Sequence, residues 1–281
     1  SNITGFVISI PTYLATIPIA MCLWVKNIPY VLEVRDIYPE TFVEAKIIKK
    51  NGLIYKLLKK YSSILYKKSL GIIVPTMGAK NFLLNYTSLD KITLVENGFN
   101  ARPQCRNKFE NFTVCFHGIL GEFQDVDGLL TIGRLLKREG IDFIVIGYGK
   151  KEHLLESADE ITFLGRKSPE ATLEIVERCH LGISLRTNDE ISRNSFPVKV
   201  WEYVGMSLPC IISPISEAGI FVENYGLGAQ FEFGEYEEII KKILEFKSGL
   251  WKVKDNKGLT NFNRSNTGRA AAEAIHNYFQ G

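Results

Sequence analysis

The sequence predicts an α/β protein with parallel sheets in two domains. Short β-rich runs alternate with helix-period segments almost throughout the 281 residues. Apolar residues make up 46% of the chain, enough for packed cores. A polar break at Asn100–Asn111, with Pro103 and several charges, divides the alternating pattern in two. Alternation at this spacing argues for βαβ units, which require long crossover connections and give parallel strands.

The first run is a strand at Gly5–Ile10, followed by a helix from about Thr12 to Val25. No charge occurs in the first twenty-five residues, so a membrane span or signal segment has to be weighed. Pro11 and Pro18 interrupt the run and no basic residues precede it, which favours a buried strand and helix. Strands follow at Tyr30–Val34, Gly71–Val74 and Ile92–Val95, and beyond the break at Thr113–Phe116, Phe143–Ile146, Ile161–Leu164, Leu181–Leu185 and Cys210–Ser213. Asn266–Gln280 reads as a closing helix. The expected domains are therefore 1–100 and 112–265, with 266–281 as a terminal helix. Two such Rossmann-like domains would face each other across a cleft at the carboxyl ends of their strands.

Composition narrows the function classes. A net charge of +3 is too small to argue for nucleic acid. Residues 1–100 hold twelve Lys and Arg against six Asp and Glu, so the basic excess is N-terminal. Five scattered cysteines (Cys22, Cys105, Cys115, Cys179 and Cys210) show neither a CxxC pair nor metal spacing with the four histidines. They read as reduced, buried thiols of a cytoplasmic protein. Over Gly52–Lys68, apolar Ile54, Leu57, Leu58, Tyr61, Ile64 and Leu65 recur at helical spacing among Lys56, Lys59, Lys60, Lys67 and Lys68, with Lys46, Lys49 and Lys50 just before. Such a helix either lies on an anionic lipid surface or packs its stripe under a sheet while the lysines meet water, and both can hold together.

The densest chemistry lies in residues 192–212. Pro197 suits the first position of a helix running to about Met206, with Pro209 leading into the strand at Cys210. Ser195 is placed either to cap that helix or to meet a ligand. Lys199 and Glu202, three apart, share a face. A helix N-terminus with a cation in its first turn and a carboxylate one turn on complements a nucleotide diphosphate and its ribose. A capped surface helix with an i,i+3 ion pair is the plainer alternative.

The string Ser195-x-Pro197-x-Lys199-x-x-Glu202-Tyr203 resembles the donor-binding segment of retaining GT-B glycosyltransferases, most of all family 4, the enzymes of capsule and O-antigen assembly. Pro29-Tyr-Val-Leu-Glu33-Val-Arg35-Asp36-Ile-Tyr-Pro39-Glu40 is similar to that family's Pro-x-Val-x-Glu-x-Arg-Asp-x-Trp-Pro-Glu. Asn97-Gly98-Phe99-Asn100 resembles its Asn-Gly-Val-Asp, and Phe116-x-Gly118-x-Leu120-Gly121-x-x-Gln124 its first loop in the second domain. Gly147-Tyr148-Gly149 and Phe163-Leu164-Gly165 fall at strand ends where the family has glycines.

The resemblance implies a metal-independent transferase taking a nucleotide-sugar, UDP-linked, to a glycan or lipid-linked acceptor in capsule, O-antigen or exopolysaccharide synthesis, at the cytoplasmic face of the membrane. Glu202 would bind the ribose and Lys199 the phosphate side. Asn194 stands where the family often has a sugar-binding glutamate, eight positions before Glu202. Gly118 and Gly121 would bring backbone amides to a phosphate. Arg166 would either stack on the base or lie in solvent. Arg186 and Arg193 would assist or be solvated. Asp36 either orients the acceptor, accepting its proton, or caps the turn at Pro39. Asp125-Val126-Asp127 looks like a metal-binding Asp-x-Asp, yet Asp125 reads better as a helix N-terminal residue, and no metal or other cofactor is expected. The family's first domain has about three βα units before the strand that starts this chain. The resemblance therefore implies an incomplete N-terminal domain, and as alternatives a non-catalytic nucleotide-sugar-binding half of a split transferase, completed by a partner chain, or a degenerate remnant.

Overall fold

The computed structural model describes residues 5–102 and 107–280. Pro103 and Cys105 lie outside them. In chain order the elements are β1 (Phe6–Ser9), α1 (Thr16–Val25), β2 (Tyr30–Glu33), α2 (Glu40–Glu44), α3 (Leu53–Lys68), β3 (Gly71–Val74), α4 (Met77–Leu83) and β4 (Ile92–Leu94). There follow β5 (Thr113–Ile119), α5 (Val126–Arg138), β6 (Asp142–Tyr148), α6 (His153–Glu156), β7 (Thr162–Phe163), α7 (Pro169–Val176), β8 (Leu181–Leu185), α8 (Glu190–Arg193), α9 (Val198–Gly205), β9 (Cys210–Ser213), α10 (Glu217–Asn224), β10 (Gly228–Gln230), α11 (Tyr236–Lys247) and α12 (Arg264–Gln280). The chain divides into two compact units, Ser1–Gly98 with Arg264–Gly281, and Phe99–Asn263.

The first unit holds a parallel sheet of order β1-β2-β3-β4. Its centre, β2 and β3, is apolar on both faces, as a parallel strand covered on both sides must be. Leu32, Ile72 and Leu65 of α3 are fully buried in its core. Buried Ser62 fixes α3 by bonding the Tyr13 hydroxyl at 2.6 Å and donating to the Tyr38 carbonyl at 3.0 Å. α12 returns to this unit, where the Tyr278 ring covers Gly71 and the Tyr278 hydroxyl meets Thr93 at 2.8 Å.

Two expectations are corrected here. The buried side of α3 centres on Tyr55, Ser62, Leu65 and Tyr66, so Ile54 and Leu57 fall off it and are 61% and 60% exposed. Cys22 is exposed on α1 rather than buried, whereas Cys115, Cys179 and Cys210 are buried free thiols. Burial pushes the Cys210 thiol up to about 12.

The second unit has a six-stranded parallel sheet of order β10-β9-β8-β5-β6-β7. Apolar cores fill both faces: Val114 and Phe116 of β5 belong to one, Cys115 to the other, as alternation along a strand requires. β10 is absent from the sequence reading because three residues, Gly-Ala-Gln, carry no β-branched signal. The chain runs β5-β6-β7 to one side and then crosses to β8-β9-β10 on the other. The strand order reverses between β5 and β8, and open α/β sheets bind ligands at such a switch point, beyond the strands' carboxyl ends.

Candidate active site

Lys199, Gln124 and Glu202 converge with Phe116 and His117 at the carboxyl end of β5. Gly118 ends the regular part of the strand with φ +127°, a value that favours glycine. A Cβ there would lie 3.3 Å from both Cε and Nζ of Lys199, so the missing side chain is what lets the lysine approach the backbone. Lys199 enters from the first turn of α9 and is 8% exposed. Its Nζ donates to Gln124 Oε1 at 3.0 Å and lies 3.6 Å from the centroid of the Phe116 ring. Desolvation, and then the Arg186 guanidinium, hold the amine well below its ordinary pKa, while Glu202 pulls the other way.

Lys199 and Glu202 share a face of α9 but take different partners. The Glu202 carboxylate lies 3.5 Å from Nε2 of His117, the β5 residue before Gly118. Burial and the nearby Lys199 push the His117 imidazole down to about 3, so it is neutral and the contact is not an ion pair. The i,i+3 surface ion pair read as the plain alternative is thus replaced by two separate contacts, because Lys199 points inward.

The remaining sequence-derived residues are placed as follows. Pro197 is the N-cap and not the first helical residue, with ψ 139°, since the chain enters α9 extended. Ser195 does not cap α9; its hydroxyl donates to the Ser192 carbonyl at 3.0 Å. Asn194 is exposed at the end of α8. Arg186 Nε donates to Ser192 Oγ at 3.3 Å, and Arg186 forms an isolated bridge with Gln124 at the switch point. Arg193 contacts Asn188 at 2.6 Å and Glu232 at 3.4 Å at the surface. Arg166 stacks 4.4 Å from the Tyr148 ring centroid. Gly121 occupies a turn in which a Cβ would meet Ile119 at an ordinary 3.6 Å, so Gly118 is the sterically required glycine of the pair.

Asp125 caps α5, accepting from the Gly128 amide at 3.0 Å and, through its other oxygen, from the Tyr236 hydroxyl at 2.6 Å. Asp36 belongs to the first unit, exposed after β2, and with burial its charge raises the Tyr38 pKa. α2 begins at Pro39 without a side-chain cap. Neighbouring Arg35 reaches Asn97 at 3.3 Å and Glu33 at 3.4 Å. His117 is the site residue that sequence reasoning did not single out, and Gln124 was part of the loop pattern but carried no role. A histidine at the end of an otherwise apolar strand was the available signal.

No family model and no curated protein matches the chain. Solved structures do. HepE of Anabaena, in complex with UDP and glucose, is 15% identical with a TM-score of 0.72 over 96% of this chain and 77% of its own. The lipopolysaccharide outer core galactosyltransferase WaaB is 14% identical, TM-score 0.65, over 92% and 78%. A glycosyltransferase of Rickettsia africae is 18% identical, TM-score 0.62, over 94% and 80%. These likenesses show the fold, a two-domain α/β architecture of the GT-B kind.

Proposed function

We propose that this chain is a retaining, metal-independent glycosyltransferase that moves a sugar from a UDP-linked donor to a glycan or lipid-linked acceptor in surface-polysaccharide synthesis. The observation that carries this reading is the meeting of Lys199, Gly118 and Glu202 at the switch point of the second sheet. A cation, a glycine-opened backbone and a carboxylate there suit a diphosphate and the ribose hydroxyls beside it. The solved structure of HepE with UDP-glucose supports the same donor class. Lys199 would stabilise charge developing on the departing diphosphate, Glu202 would accept from the ribose, and Gly118 would offer its amide. Asn194, Arg166 and Arg186 are the further donor-side candidates, and Asp36 the acceptor-side acid or base.

The test is calorimetric titration with UDP and UDP-sugars. Micromolar UDP binding is expected, weakened by about 1–3 kcal/mol in Glu202→Ala, the range for a hydrogen bond to a charged group. Affinity is expected to survive EDTA, because no cluster of His, Cys, Asp or Glu among the described residues is placed to hold a metal ion. Metal-dependent UDP binding would overturn that part of the reading.

The acceptor side is read as a lipid surface. Exposed Ile47, Leu53, Ile54 and Leu57 lie among Lys46, Lys49, Lys50, Lys56 and Lys60, which are exposed as well. No helix among the described residues is long and apolar enough to cross a membrane. Cations flanking exposed apolar side chains suit peripheral contact with anionic lipid. Sedimentation with anionic vesicles is expected to capture the protein at low salt, each lysine near the surface contributing about 1 kcal/mol. Reversing Lys56, Lys60 and Lys67 to Glu should abolish capture, and high salt should weaken it. Equal capture by neutral vesicles would overturn the electrostatic reading and leave only the apolar residues as its cause.

A further inference from the structure

We propose that the second unit carries a further binding site, for a neutral sugar residue of a glycan chain, in a cleft at the end of its sheet opposite the candidate active site. α9 and α10 both run back along the parallel strands, so their last turns lie beside the amino ends of β9 and β10. There Asn224, Tyr225, Lys254, Asp255, Gly258 and Leu259 line a cleft of about 520 Å³, within the size range of small-ligand sites. The length of β5, seven residues at about 3.3 Å each, separates the two ends of the sheet. A sugar held here is therefore a unit further back along a chain, not the one being transferred.

The sequence builds this cleft firmly. α10 ends in a glycine cap: Gly226 has φ +68°, its amide donates to the Glu223 carbonyl at 2.9 Å, and the Leu227 amide donates to the Val222 carbonyl at 2.7 Å. A Cβ on Gly226 would lie 3.2 Å from Cδ of Lys254, so the bare glycine lets the lysine stem cross the turn. The Lys254 amide donates to the Gly226 carbonyl at 2.7 Å. Two residues on, the Asn256 side chain donates to the Val204 and Gly205 carbonyls at 2.6 and 3.2 Å, which pins the loop to the end of α9. Leu259 anchors its far end in the core, and a Cβ on Gly258 would meet nothing within 4 Å. A site held this way loses little freedom on binding.

The lining selects the ligand. Tyr225 packs on Phe221 and Phe262, with centroids at 4.7 and 5.7 Å, yet stays 41% exposed and leaves ring surface to the cleft. The Asp255 carboxylate pairs with Lys257 at 2.8 Å, whereas the Lys254 ammonium and the Asn224 side-chain amide have no partner among the described residues. Donors and acceptors around an aromatic face suit a ring of hydroxyls, which donate and accept at once while its C–H face is apolar. An anion fits worse, because the cation stands beside a carboxylate and the negative end of the α10 dipole.

The test is titration with D-glucose, D-galactose and N-acetyl-D-glucosamine, and separately with inorganic phosphate, followed by proton–nitrogen correlation spectra at the amides of Gly226 and Gly258. At least one sugar should move both amides saturably, with millimolar affinity. Tyr225→Ala should weaken it about tenfold, and Lys254→Met, which keeps the stem over Gly226, about fivefold. Both variants are checked for cooperative thermal unfolding. Lys199→Met should leave sugar binding here unchanged, which separates this site from the donor site. No movement with any of these sugars, or movement that neither variant weakens, would overturn the proposal. Tighter binding of phosphate than of sugar at the same amides would overturn it too, making the cleft an anion site. The donor-site reading stands or falls separately, on whether UDP binds the wild type.

Discussion

Replacing Lys199 with methionine is expected to weaken nucleotide binding about a hundredfold while making the protein more stable. The two effects share one cause. Lys199 is 8% exposed, and its ammonium faces an aromatic ring and lies near the Arg186 guanidinium, so its charge is poorly solvated. Desolvating an ammonium costs several kcal/mol even after relaxation. Its bond to Gln124 returns about 1 kcal/mol, and Glu202 recovers part of the rest. Methionine keeps the volume, removes the charge and leaves the Gln124 oxygen without its donor, a loss of about 1–3 kcal/mol. The balance favours the variant at neutral pH, by about 1 kcal/mol or more. A diphosphate reverses the account, because an anion at the switch point is what the buried cation lacks. UDP affinity should fall about a hundredfold, the size of a charge-assisted phosphate contact.

The pH dependence follows from the same group. The folded pKa of Lys199 is depressed below its ordinary value of 10.5. Between the two values the unfolded chain holds a proton that the folded one has lost, so stability rises with pH across that window. In Lys199→Met this contribution is absent and the slope should flatten. Chemical denaturation at several pH values checks both claims. A destabilised variant that still binds UDP would make Lys199 a structural residue.

The strands legible in the sequence are those whose side chains carry the pattern. β3, β8 and β9 coincide with the apolar runs at Gly71–Val74, Leu181–Leu185 and Cys210–Ser213 because both their faces are covered. β5 runs three residues beyond the expected Phe116, through His117, Gly118 and Ile119, since pairing with β6 continues past the apolar stretch. That extension places His117 and Gly118 at the carboxyl end of β5, beside the switch point. Helical periodicity located α3 but not its rotation: Ile54 and Leu57 fit the period as well as Leu58 and Leu65 do, and only contact with Tyr13 and Tyr38 selects the buried side. For α9 the spacing of Lys199 and Glu202 gave a common face, yet could not tell that one side chain turns inward to Gln124 while the other meets His117. Partners that far away in sequence are set by strand order, which no local pattern encodes.

Gly147→Ala is expected to be the most damaging single-methyl change near the site. Gly147 pairs with Gly118 across β5 and β6, and a Cβ on it would collide with the Gly118 carbonyl oxygen. Backbone cannot rotate away as a side chain can, so the two strand ends must part. Forcing atoms into a packed region of this kind costs about 1–3 kcal/mol and is greatest where backbone must shift. The displaced element would be the Gly118 backbone itself, beside which the Lys199 side chain lies, so UDP affinity should fall together with stability. Gly140→Ala separates this steric cause from backbone strain. Gly140 has φ +64° and nothing within 4 Å of the added carbon. It should lose only about 1 kcal/mol to the left-handed conformation, with UDP binding intact. Denaturant midpoints and UDP titrations on both variants measure the contrast. If Gly147→Ala proved no worse than Gly140→Ala, the close approach of β5 and β6 at Gly118 would not be what shapes the site.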